Sequence, residues 1–163
     1  MKKILLTTLC ILLCLSTTAC GLGGIVPVPT EDTKLAKVTE FYELVCESQA
    51  LLDEVADDIY NNWHAAIYKD KFNENINLAI SSALIDNKEN IDEIERLDGE
   101  ITVLFKEVRD TEQGPQIKAV MSAYSDYYEL VINVSGSFNS YSADKESLKK
   151  ELASALKKLS FEI

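Results

Sequence analysis

Residues 30–73, TEDTKLAKVTEFYELVCESQALLDEVADDIYNNWHAAIYKDKFN, decide the fold. Leu35, Val38, Phe41, Tyr42, Val45, Leu52, Val55, Ile59, Trp63 and Ile67 recur there at spacings of three and four, the period of one face of an α-helix. Proline is absent from the whole stretch, Thr30 is a suitable N-cap, and Glu31 and Asp32 complement the helix dipole in the first turn. One long amphipathic helix is predicted, ending near residues 69–73.

Downstream the same period continues. A second stripe runs through Ile76, Ile80, Ala83, Leu84, Asn87, Ile91, Ile94, Leu97, Ile101, Leu104, Phe105 and Val108. Gly99 lies inside it and costs about 1 kcal/mol against alanine, which weakens an unbroken helix without overturning it. The run Asp110-Thr111-Glu112-Gln113-Gly114-Pro115 reads as a stop and a restart, with Gly114 as a left-handed residue closing one helix and Pro115 in the first turn of the next. A third stripe uses Ile117, Val120, Met121, Tyr124, Tyr128, Val131, Val134, Ser135 and Phe138, with Gly136 as a point at which it can end early. Ser142 is the predicted cap of a short last helix carrying Leu148, Leu152, Ala155, Leu156 and Leu159.

The chain shows no alternating β-branched run between turn signals, so the expected class is all-α. Short connections favour antiparallel neighbours, and the expectation is an up-down bundle of three long helices plus a shorter fourth over residues 31–163. At 1.5 Å per residue the first two helices would run about 50 Å and the last about 27 Å. A three-helix coiled coil with a detached tail is the competing arrangement.

The first thirty residues carry the other strong signal. Lys2 and Lys3 precede an apolar run over residues 4–15, and Ser16-Thr17-Thr18-Ala19 leads to Cys20, the order of a secretory signal peptide. The sequence Thr17-Thr18-Ala19-Cys20-Gly21 resembles the lipobox of bacterial lipoproteins, with Thr17 where an aliphatic residue is usual. The resemblance covers this segment alone. It implies cleavage of residues 1–19, covalent diacylglycerol and acyl chains, palmitate among them, on Cys20, and a body held at a membrane on the extracytoplasmic side. Residues 20–30 contain three glycines, Gly21, Gly23 and Gly24, and two prolines, Pro27 and Pro29, without helical period, and read as a tether.

Of 16 basic and 27 acidic residues, the leader takes only Lys2 and Lys3, so the mature chain is strongly acidic. Such a charge argues against nucleic acid and keeps the body off an anionic lipid surface. Outside the leader and Cys20, Cys46 is the one remaining cysteine, so stability rests on packing. Two readings stand for Cys46, a small buried hydrophobe or half of a disulfide between chains.

Residues for chemistry are scarce. His64 is the only histidine and has Asn61 three residues before it, which excludes inward Glu-x-x-His pairs and a His-Glu-x-x-His zinc helix. Neither a Gly-x-Ser-x-Gly nor a Gly-x-x-x-x-Gly-Lys motif occurs. Before Asp98-Gly99, Ile94 and Arg96 stand where a calcium loop needs oxygen ligands. Asp53, Glu54, Asp57 and Asp58 form the densest acidic cluster, read as a solvated face balanced from other helices or as a weak cation or basic-partner site. Asn87 reads as a buried register device or as the edge of its stripe.

The functional expectation is a non-enzymatic envelope lipoprotein without cofactor that contacts another envelope protein, a peptide or a wall polymer. A small-ligand or peptide carrier with a cavity between helices is the alternative. If the first and third helices both run away from the tether, Tyr60, Trp63, His64, Tyr68, Tyr127, Tyr128, Phe138 and Tyr141 gather at the far end. They are the predicted contact residues, since Trp and Tyr pair an apolar body with a polar handle.

Overall fold

The computed structural model describes residues 31–69 and 71–163. The predicted leader, Cys20, the tether and the Thr30 cap lie outside the described residues. Among the described residues five α-helices follow one another: α1 (Glu31–Tyr68), α2 (Ile76–Asp86), α3 (Lys88–Val108), α4 (Gly114–Ile132) and α5 (Phe138–Leu159). Among the described residues there is no strand, and no helix is long and apolar enough to cross a membrane.

The first helix is the spine of the fold. It spans 38 residues, about 57 Å at 1.5 Å per residue, and packs against each of the other four. Its stripe supplies Val38, Phe41, Val45, Leu52, Val55 and Ile59, all fully buried. Facing them are Ile94, Leu97 and Ile101 of α3, Ile117, Val120 and Val131 of α4, and Leu152 and Leu159 of α5. Each such side chain contributes about 1.5–3 kcal/mol on leaving water, so this one core dominates stability.

Four local expectations are corrected. The second stripe is two helices, because Asn87 interrupts it: its amide donates to Asp58 Oδ2 of α1 at 2.8 Å and to the Ala83 carbonyl at 3.0 Å, and its Oδ1 accepts from Asn90 at 3.2 Å. Asn87 is buried, and its side chain takes the local bonds with which asparagine competes against a helix ladder. It is both an anchor to α1 and a joint between α2 and α3. Gly99, in contrast, leaves α3 continuous.

Gly114 is the first residue of α4 and has no left-handed backbone. Its reason is contact, since a Cβ there would stand 2.4 Å from the Arg109 carbonyl oxygen. The third stripe stops at Ile132, short of Val134, Ser135 and Phe138. The last helix begins at Phe138 and spans 22 residues, longer than the 19 of α4, so it is not the short fourth element expected. Its cap is Ser137 instead of Ser142. Ser137 Oγ accepts from the Ser140 amide at 3.2 Å while the Ser137 amide donates to Ser140 Oγ at 2.9 Å, a reciprocal box that the left-handed Gly136 (φ 85°) sets up.

Between α1 and α2 the chain makes an uncommon turn. Phe72, Asn73 and Glu74 are all left-handed, with φ of 62°, 50° and 60°. None is glycine, and such a residue costs about 1–2 kcal/mol. The turn is followed by Asn75, whose Oδ1 accepts from the Leu78 amide at 3.0 Å and starts α2.

Candidate functional site

The last turns of α1 carry Tyr60, Trp63, His64, Ile67 and Tyr68, spaced so that their side chains share one side of the helix. Tyr60 and His64 lie 6.0 Å apart by ring centroid, and His64 and Tyr68 4.8 Å. Phe138, the first residue of α5, enters the middle of this row at 5.2 Å from Tyr60, 5.9 Å from Trp63, 6.0 Å from His64 and 6.1 Å from Tyr68. The cap at Ser137 puts it there. Tyr141, one turn further on, reaches Trp63 at 5.7 Å. Six of the eight residues singled out in the sequence are therefore one continuous ring cluster.

The cluster has an inside and an outside. Trp63 is 4% exposed and Tyr141 1%, so both belong to the core, whereas Tyr68 is 63% exposed. Tyr60, His64 and Phe138 are half-buried. Trp63 Nε1 is shielded from solvent and has no hydrogen-bond partner among the described residues. An unpaired buried donor of this kind costs about 1–3 kcal/mol.

Tyr127 and Tyr128 are placed elsewhere. Tyr127 is fully buried beside the middle of α1, and its hydroxyl donates to Asp53 Oδ1 at 2.7 Å. Burial first, and then that bond to a carboxylate, push its phenol well above the ordinary tyrosine range. Tyr128 packs on Tyr124 at 6.1 Å, and the Tyr124 hydroxyl shares a hydrogen bond with the buried Ser48 at 3.2 Å. Burial likewise raises Tyr124 and Tyr141.

The acidic cluster is engaged from other helices. Asp53 Oδ2 meets Lys149 at 3.0 Å, Asp57 pairs with the buried Lys145, and Asp58 accepts from Asn87. The Lys145 ammonium also sits 4.8 Å over the Tyr60 ring, so one cation ties α5 to the acidic face and to the ring cluster together. Among the described residues no group of three or more His, Cys, Asp or Glu is placed to hold a metal ion. Cys46 is half-buried; burial pushes its thiol up, and the Tyr42 hydroxyl bonded to it pulls the other way.

Helical periodicity marked residues 76–84 as helix but did not single out the exposed apolar face of α2. Residues 76–85, INLAISSALI, hold no charged side chain in a chain that is 26% charged. Leu78 is 51% and Ile85 73% exposed, and Ile76 joins Trp63, Ile67 and Phe138 in the walls of an open groove beside the rings. The missing charge was the available signal. What the arrangement offers chemically is a face of rings and aliphatic side chains with one imidazole.

No protein-family profile matches the chain, and no curated protein and no solved structure matches it either.

Proposed function

We propose that the chain is a membrane-anchored extracytoplasmic lipoprotein, non-enzymatic, whose helices form an antiparallel up-down bundle that presents the ring cluster and the outer face of α2 to another envelope protein, a peptide or a wall polymer. The observation that carries the contact reading is the exposed and half-exposed part of the ring cluster, Tyr60, His64, Tyr68 and Phe138, beside the uncharged residues 76–85 of α2. Exposed aromatic and aliphatic side chains set together on a charged body are the usual ingredients of a contact surface.

Pairwise contacts support the helix directions. Lys37 near the start of α1 pairs with Glu107 near the end of α3, and Asn62 near the end of α1 bonds the Ala79 carbonyl of α2. Ser48 and Asp53 of α1 meet Tyr124 and Tyr127 of α4 in the same order, while Ala56 and Asp53 meet Tyr141 and Lys149 of α5 in reversed order. In this arrangement the rings lie at the end of α1 remote from Glu31. The lipobox-like Ala19-Cys20-Gly21 supports the anchor, and the acidic charge supports a body standing off the lipid.

A photo-reactive residue at position 68, read in native membranes against one at the exposed Glu129 on α4, tests the surface. A defined adduct at position 68, weakened by Leu78→Asp, is the expected result. Equal labelling at both positions would sink the tip as the contact site. Mass spectrometry of the mature N-terminus, expected to show acylated Cys20, tests the anchor separately; a retained Met1 or a bare Cys20 would remove it.

A further inference from the structure

A groove of about 510 Å³ opens where the end of α1, the start of α2 and the start of α5 meet, and its apolar walls are Trp63, Ile67, Ile76 and Phe138. Trp63 brings to it a donor that folding leaves unused: the residue is 4% exposed, and its Nε1 has no hydrogen-bond partner among the described residues. An acceptor supplied from outside would offset the cost of leaving that donor dry. Nε1 is shielded in the closed groove, so the acceptor enters only when a wall gives. The wall best placed to give carries Glu74 and Ile76. It follows directly on the left-handed turn of Phe72, Asn73 and Glu74, and the helix behind it buries only Ala79 and Ala83.

Charge selects the occupant. Glu74 has no ion pair among the described residues, and the whole chain carries 27 acidic against 16 basic side chains, so its field draws a basic group toward the groove. A saccharide would need an open ring face to lie on, and Trp63 at 4% exposure offers none. We propose that the groove takes an extended, basic peptide segment of a partner protein, an inference that rests on the contact reading and names its partner. A backbone carbonyl of the segment accepts from Trp63 Nε1, an aliphatic side chain lies against Ile67, Ile76 and Phe138, and a lysine or arginine beside it pairs with Glu74. One extended strand supplies all three, because its main chain carries the acceptor and successive side chains point to opposite sides.

Selection of a random peptide library on the full chain tests this, and the enriched sequences should place Lys or Arg beside Leu, Ile or Val. Trp63 is the only tryptophan, so its indole N–H gives a single proton–nitrogen resonance, which the enriched peptide should move downfield as the hydrogen bond forms. Glu74→Gln should weaken binding of that peptide about two- to fivefold. Glu129→Gln, the same loss of charge at an exposed position of α4, should leave it unchanged. No enrichment, enrichment of acidic sequences, an unmoved indole resonance, or equal weakening by both substitutions overturns the proposal. An indole shift produced by a chito-oligosaccharide and by no peptide overturns it too. The photo-adduct at position 68 separates this failure from that of the contact surface: a defined adduct without an enriched peptide leaves the surface standing and empties the groove of its peptide.

Discussion

Tyrosine serves two different ends at the middle of the molecule and at its ring-bearing end. In the middle, Tyr124 and Tyr127 are buried to the hydroxyl, and each hydroxyl meets an oxygen on α1, Ser48 or Asp53. At the end, Tyr60 and Tyr68 pack edge and face against His64 and Phe138 and keep part of their surface toward water. The difference lies in what α1 offers at each level. Around Ser48–Asp53 it supplies acceptors between apolar side chains, so a phenol can be buried with its polar atom satisfied. From residue 60 onward it supplies more rings, so rings stack and polar atoms go outward or, for Trp63 Nε1, go without a partner among the described residues. A phenol in the middle fixes helix pairing; a phenol at the end makes surface.

The widest gap between the two regions should appear on truncating their side chains. Leu52→Ala, at a fully buried position in the middle, is expected to cost about 2–5 kcal/mol in chemical denaturation. A loss below 1 kcal/mol would mean that the middle is not close-packed.

Alkali should strike the middle next. Folding raises the phenols of Tyr124, Tyr127 and Tyr141 above the ordinary value of 10.0, because burial disfavours the phenolate. The folded state then holds these protons more tightly than the unfolded one. Stability is full below pH 10 and falls as pH rises above it. Phenolate absorbance from these rings should therefore appear together with loss of helical circular dichroism. Phenolate formation with the helices intact would show that water reaches them.

Tyr127→Phe removes the hydroxyl bond to Asp53 and is expected to cost about 1–2 kcal/mol, since Lys149 still partners the carboxylate. Trp63 joins the buried side of the contrast, and its fluorescence should be blue-shifted and poorly quenched by acrylamide. The smallest effect belongs to Tyr68→Ser, within about 0.5 kcal/mol of the native chain. A larger stability loss at Tyr68 would make the outer rings part of the core and weaken their reading as a contact surface.

The sequence by itself determined the helical class, the span of α1 and the restart at Pro115. Those follow from local rules: apolar residues every three or four positions, and proline kept out of a helix interior. The ring cluster was legible only in part, because Tyr60, Trp63, His64 and Tyr68 share one helix and their spacing alone brings them together. Tyr127 carried the same residue type and went elsewhere. A helix stripe wider than about 100° leaves its edge residues undecided, and which way Tyr127 counts depended on Asp53 standing opposite it. Asn87 likewise became a joint because Asp58 of α1 lies within reach of its amide. Ser137 prevailed over Ser142 because Gly136 could turn left-handed and Ser140 could answer the cap. Periodicity reports which face of a helix is buried; only the neighbouring helices decide which atom on that face finds a partner.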